Sequence, residues 1–258
     1  MNSPHLRLAA AQIAATEDPE TNLRTIVAAA ERAAGAGAQI VVFPEASMAC
    51  FGTALASVAQ PLDGPFASGV RAAAGRLGIA LVVGMFTPAP GGRVHNTLLL
   101  TGPDGEVSYA KIHLYDAFGS RESDTVAPGD QLVTTTVAGA RVGLATCYDL
   151  RFAGQFTELG RAGAELILVP ASWGDGPGKA EQWDLLTRAR AMDAQAYLLA
   201  CGMAWRPPQG ADPLGIGRSV LADPLGRVCG RLGHEEGLLL AEADLGTVAP
   251  IRARVPIL

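Results

Sequence analysis

The sequence predicts an α/β fold in which mixed sheets are covered by helices. Three observations lead there. Short apolar runs rich in Val, Ile, Leu and Ala recur along the whole chain. Segments with the helical spacing of apolar residues separate many of these runs. Two pairs of runs are joined by glycine-containing turns, the mark of hairpins, so the sheets cannot be purely parallel.

Taken in order, residues 6–12 read as a strand, and 21–36 as a helix with Leu23, Ile26, Val27 and Ala30 on one face. A strand over 40–43 precedes a helix over 65–77, which Gly78 closes. Residues 79–86 form the next strand. A hairpin over 95–100 and 107–110 turns at Pro103-Asp104-Gly105, and a second over 133–137 and 141–145 turns at Gly139. Helices over 151–163 and 180–196 flank a strand over 166–170, and residues 216–222, 227–231 and 237–243 close the chain as strands. The chain has 258 residues, 49% of them hydrophobic, enough to bury a full core. No linker or charge block splits it, so residues 1–258 are expected to form one domain.

Composition excludes several classes of function. A net charge of −5 leaves no general basic surface for nucleic acid or anionic lipid. No apolar run reaches the ~18 residues of a membrane helix. Met1 to Ala15 has no continuous apolar core of the kind a secretory leader carries, so the cytoplasm is the expected location. The Gly-rich phosphate-binding patterns are absent. Cys50, Cys147, Cys201 and Cys229 are far apart, with neither C-x-x-C nor zinc spacing, so neither metal nor cofactor is expected. Cys201 and Cys229 read as packed strand residues, and Cys50 as structural although it follows the Glu45 loop.

Three strand ends carry chemistry. Val142-Gly143-Leu144-Ala145-Thr146-Cys147 ends an apolar run in a thiol just before a helix. The N–H groups of such a helix start favour negative charge, at a thiolate or at an oxyanion. Phe43-Pro44-Glu45 delivers a carboxylate after a second strand, and Tyr109-Ala110-Lys111 a lysine after a third. Strand ends converge on one side of an α/β sheet, so the three can meet as an acyl-transfer group. Each also has a plainer reading. Cys147 is a small buried hydrophobe, Glu45 a cap, and Lys111 a solvated edge-strand lysine.

Phe43-Pro44-Glu45, Tyr109-Ala110-Lys111-Ile112-His113-Leu114 and Cys147-Tyr148-Asp149-Leu150-Arg151-Phe152 occur in this order in the chain. Together they resemble the three signature blocks of the nitrilase superfamily, the carbon–nitrogen hydrolases. His95-Asn96-Thr97, Arg121-Glu122-Ser123-Asp124-Thr125, Pro128-Gly129 and Arg188-Ala189-Arg190-Ala191 extend the resemblance nearly end to end. The Lys-Ile-His-Leu and Arg-Glu-Ser-Asp-Thr runs look most like the omega-amidase and deaminated-glutathione-amidase branch.

The resemblance implies an α-β-β-α sandwich, usually paired with a second subunit. It implies that Cys147 attacks an amide carbonyl to give a thioester, with Glu45 as general base. Lys111 and the backbone N–H of Tyr148 would hold the oxyanion. Glu122 would support the lysine and position substrate; read without the resemblance, it is an exposed loop acid. The branch also implies a small dicarboxylate monoamide as substrate, and Arg151 is a candidate for its distal carboxylate. Arg151 reads equally as an ion pair on the first helical turn or as a subunit contact. Trp173 is expected on the same side of the sheet, or as a cover for the core edge, and residues 174–178 are expected to shape the substrate entrance. A nitrile or N-carbamoyl substrate remains open. A self-associating scaffold without activity also stands as an alternative, though intact Glu45, Lys111, Cys147 and Glu122 argue against it. The helices after Cys147 and Glu181 carry apolar faces, Phe152, Phe156 and Leu159 on the first and Leu185, Leu186 and Ala189 on the second, beside arginines, a pattern expected of a homodimer or larger even homo-oligomer.

Overall fold

In the computed structural model, which describes residues 5–206 and 215–258, the apolar runs pair into two six-stranded sheets. Numbered along the chain, the strands are β1 (His5–Gln12), β2 (Ile40–Val42), β3 (Ala80–Pro88), β4 (Val94–Gly102), β5 (Gly105–Ala110) and β6 (Thr134–Val137). They continue as β7 (Ala140–Leu144), β8 (Leu166–Ala171), β9 (Tyr197–Gly202), β10 (Val220–Ala222), β11 (Val228–Arg231) and β12 (Gly237–Asp244). One sheet has the order β12-β1-β2-β3-β4-β5 and the other β11-β10-β9-β8-β7-β6. Each has a parallel centre, β1-β2-β3 or β7-β8-β9, with antiparallel strands outside it.

Alternation along the strands makes the layers. Leu8, Ile40, Val42 and Val82 point to the middle, where they meet Leu144, Leu166, Leu168 and Leu199 of the second sheet. Their neighbours Ala9, Val41, Leu81 and Val83 point outward onto α1 (Pro19–Gly35) and α3 (Pro65–Leu77). On the other sheet Ile167, Val169, Leu198 and Ala200 face α4 (Ala153–Arg161) and α5 (Lys179–Ala194). Each fully buried Val, Leu or Ile stabilises this arrangement by about 1.5–3 kcal/mol. The result is the expected α-β-β-α sandwich.

Local chemistry sets the ends of the helices. Asp18 caps α1 by accepting from the N–H groups of Glu20 and Thr21, and Pro19 fills the first turn. Gly78 takes the left-handed conformation that closes α3. Ala138 and Gly139 both have positive φ and make the two-residue turn between β6 and β7.

Several expectations shift. The buried stripe of α1 is centred on Asn22, Ile26, Ala29, Ala30 and Ala33, leaving Leu23 and Val27 at its margins. Asn22 is buried because its amide joins the carbonyls of Thr16 and Met48 to the Thr16 N–H. The helix expected over 151–163 is a 3₁₀ turn, Cys147–Arg151, followed by α4. Cys229 is exposed, contrary to its reading as a packed residue. Between α1 and α3 lies a single short turn of helix, α2 (Leu55–Val58). The closing helix α6 (Val248–Arg254) had no strong periodic signal; its Arg252 reaches the carbonyls of Ala164, Ala194 and Gln195 at the ends of α4 and α5. Among the described residues, no helix is long and apolar enough to cross a membrane. The expectation for Met1 to Ala15 includes residues 1–4, which lie outside the described residues.

Candidate active site

β2, β5, β7 and β8 all run in the direction that ends at one rim of the sandwich, and four functional groups follow from their ends. Glu45 comes three residues after β2, Lys111 directly after β5, Cys147 three residues after β7, and Ser172 directly after β8. Glu45, Lys111 and Cys147 are all buried.

Lys111 is the hub. Its ammonium donates to Glu45 Oε1 at 2.9 Å and to Glu122 at 2.9 Å (Oε2) and 3.2 Å (Oε1). Asn96 Nδ2 bridges the same two carboxylates, at 2.7 Å to Glu45 and 3.2 Å to Glu122. The Ser172 N–H holds the other oxygen of Glu45 at 2.8 Å, and the Tyr115 N–H donates to Glu122 Oε2 at 2.6 Å. Burial by itself would strip the proton from Lys111, but the charges of Glu45 and then Glu122 outweigh it and raise its pKa well above the ordinary lysine value. The lysine therefore remains an ammonium throughout the neutral range. Lys111 is not a solvated edge-strand residue.

Cys147 has the opposite balance. Burial pushes its thiol pKa well up, the Glu45 charge and the hydrogen bond to that carboxylate push it further, and Lys111 opposes both. The resting group is a neutral thiol beside the Glu45 carboxylate. Cys147 has φ 44° and Ala46, just after Glu45, has φ 57°, both in the left-handed region that costs a non-glycine residue energy. Such backbone strain is of order 1–3 kcal/mol and clusters at active sites. Gly84 on β3 lets the Glu45 segment pass closely, since a Cβ there would lie 2.8 Å from Pro44 O and from Ala46 N.

The turn that begins at Cys147 is fixed by Asp149, a fully buried residue. Its Oδ2 accepts from the Thr146 N–H at 2.8 Å and from Tyr109 Oη at 2.6 Å. Its Oδ1 accepts from the His113 N–H at 3.0 Å and lies 2.8 Å from His113 Nδ1. One carboxylate thus ties the cysteine turn to both sides of Lys111. Asp149, Asn96 and the Ser172 N–H were not singled out from the sequence. The motif blocks contain Asp149 and Asn96, but nothing local shows which partners they take.

Around the rim, Tyr148 packs edge-on against Tyr115 at 5.1 Å and against Phe152 at 5.7 Å. The Arg151 guanidinium carbon lies 5.1 Å from the Trp173 ring centre, 5.6 Å from Tyr148 and 5.9 Å from Phe118, and its Nη2 donates to Gln182 Oε1 at 2.5 Å. Arg151 makes no ion pair among the described residues, so the reading of it as a helix-turn ion pair is not met. Trp173 is buried beside Ser172 on the side of the site. Residues 174–178 connect it to α5, with residues 175–178 exposed. Among the described residues, no group of three His, Cys, Asp or Glu is placed to hold a metal.

The model of the carbon-nitrogen hydrolase family matches residues 7–253. The chain belongs to the carbon–nitrogen hydrolase family. It is 50% identical over 264 residues to hydrolase Rv0480c of Mycobacterium tuberculosis, covering 98% of this chain and 94% of that one. It is 33% identical over 260 residues to omega-amidase NIT2 of Mus musculus, covering 98% and 93%. Among solved structures, it superposes with a TM-score of 0.81 on a glutamate-to-glutamine variant of the amidase from Nesterenkonia sp. AN1. That pair is 27% identical and covers 99% of this chain and 98% of the other, whose active-site cysteine carries the acetamide moiety of fluoroacetamide. Amidases are thus among the relatives of this carbon–nitrogen hydrolase.

Proposed function

We propose that the protein cleaves the terminal amide of a small carboxylic acid, the omega-amide type, through a thioester on Cys147. The observation that carries this reading is the buried hub of Lys111 between Glu45 and Glu122, with the Cys147 thiol near enough to feel the charges of both Glu45 and Lys111. A neutral thiol needs a base at the moment of attack, and an amide carbonyl needs a donor for its developing charge. Both are at hand. The cysteine-linked adduct in the Nesterenkonia amidase supports the choice of nucleophile.

Glu45 takes the thiol proton as Cys147 Sγ bonds to the carbonyl carbon. The carbonyl π electrons move to oxygen, where the Lys111 ammonium and the Tyr148 N–H stabilise the charge. As the intermediate collapses, the C–N bond breaks and Glu45 passes its proton to the leaving nitrogen, releasing ammonia or an amine. Glu45 then deprotonates the water that attacks the thioester. The second intermediate expels the cysteine sulfur, which recovers its proton, and the carboxylic acid leaves. Glu122 keeps Lys111 charged and aimed throughout.

Trapping tests this reading. With an amide substrate and hydroxylamine, the acyl-enzyme should partition to a hydroxamate, and a stalled acyl group should map by mass spectrometry to Cys147. An adduct on Cys50, Cys201 or Cys229 in place of Cys147 would reject the assignment. Ammonia release from succinamate-like amides, simple nitriles and N-carbamoyl amino acids tests the substrate class; turnover confined to the last two would replace it.

We further propose that the chain works in the cytoplasm as one domain and as an even homo-oligomer. Phe156 and Leu159 cannot serve the interface, because both are fully buried in the subunit's own core. Phe152 on the turn before α4, with Leu185 and Met192 on α5, remains as exposed apolar surface. Sedimentation at micromolar concentration should give a dimer or larger even species, and a monomer would reject the proposal.

A further inference from the structure

The chain contains two lysines, and the chemistry above uses only Lys111. The other, Lys179, opens α5 and is half-buried. The Trp173 indole N–H donates to its carbonyl at 3.1 Å, so a neighbour of Ser172 holds its backbone. Its ammonium lies 3.7 Å from the Phe118 ring centre and 5.4 Å from that of Tyr115, and donates to Tyr115 Oη at 3.2 Å. Tyr115 in turn gives its N–H to Glu122 and packs against Tyr148, the residue after Cys147. Two separate routes therefore fasten Lys179 to the wall of the catalytic site.

Arg151 stands on the same wall and shares the Phe118 ring with it. Two cations lean on one aromatic side chain, and no carboxylate answers either of them among the described residues. Asp175, in the adjoining loop, directs Oδ1 to the Gly176 N–H. Arg151 Nε is moreover buried without a partner. Contact with a ring face orients a cation but leaves its charge in place. The Lys179 ammonium has three donor hydrogens and gives one of them to Tyr115. Arg151 is hemmed in by three rings and bonded to Gln182, so it contributes fixed charge, while Lys179 has donors to offer.

We propose that Lys179, with Arg151 beside it, forms a distal anion subsite selecting amides that carry a carboxylate remote from the scissile bond. This rests on the reading of Cys147 as the amide-cleaving nucleophile, and adds which residue recognises the far end of the substrate. A charge-assisted hydrogen bond contributes about 1.5–3 kcal/mol, equivalent to roughly ten- to hundredfold in affinity.

The test compares kcat and KM of the full chain for succinamate and for 4-methylpentanamide, in which an isopropyl group replaces the carboxylate. The parent should favour succinamate in kcat/KM. In Lys179→Met the ratio between the two substrates should fall ten- to hundredfold, mainly through KM for succinamate, and Lys179→Arg should retain most of it. A parental ratio in Lys179→Met overturns the subsite. So does a parent that acylates Cys147 with both amides but does not discriminate between them. If neither amide acylates Cys147 at all, the underlying reading of Cys147 as the amide-cleaving nucleophile is overturned, and the subsite with it.

Discussion

Lys111→Met should lower kcat/KM by at least 10²–10³, the usual effect of removing one oxyanion donor. It should also destabilise the fold, because among the described residues Lys111 is the one cation bonded to the carboxylates of Glu45 and Glu122, whose side chains are 1% and 8% exposed. Without it, Asn96 Nδ2 alone would bridge two like charges. Breaking a buried ion pair from one side costs about 3–5 kcal/mol. The two effects separate in a double variant. Lys111→Met with Glu122→Gln removes one of the opposed charges, so denaturant unfolding should show much of the stability restored while activity stays low. A Lys111→Met protein with parental stability would mean that the hub adds nothing to the fold. A double variant that regained activity would mean that the ammonium is not the oxyanion donor.

Glu45, Lys111 and Cys147 were legible in the sequence because each follows an apolar run at its end, and strand direction alone gathers such ends at one rim. Glu122 was different. It lies in an irregular segment without periodicity, and only the resemblance singled it out. The contacts that tune the site were not legible. Glu45 is 127 residues from Ser172, and Tyr109 is 40 from Asp149. Such pairings depend on how two sheets face each other and leave no local pattern. The same distance effect misled the reading of α4: Phe156 and Leu159 have the spacing of an exposed apolar face, but the helix turns that face onto β7 and β8, as the contact of Leu159 with Gly143 shows. Arg151 was singled out for its planar fork, whereas the structure surrounds it with aromatic rings and places Lys179 nearby with donors free.

Glu45→Gln should reduce steady-state turnover by about 10²–10⁴, the range for loss of a general base. Unlike Lys111→Met, it should leave the fold nearly as stable, because Lys111 retains Glu122 and the amide oxygen can still accept a hydrogen bond. The thiol loses the group that receives its proton, so amides should scarcely react. A reactive ester such as p-nitrophenyl acetate needs less assistance and should still acylate Cys147. Deacylation has no such relief, because attack by water depends on the same missing base. The expected record is a burst of nitrophenol near one equivalent per site, then a stalled phase, with an acetyl group on Cys147 in the mass spectrum. Hydroxylamine should shorten the stall, since it attacks the thioester with less need of a base than water. If folded Glu45→Gln turned over amides at the parental rate, the carboxylate would serve only to anchor Lys111 and Ser172, and another group would have to move the proton.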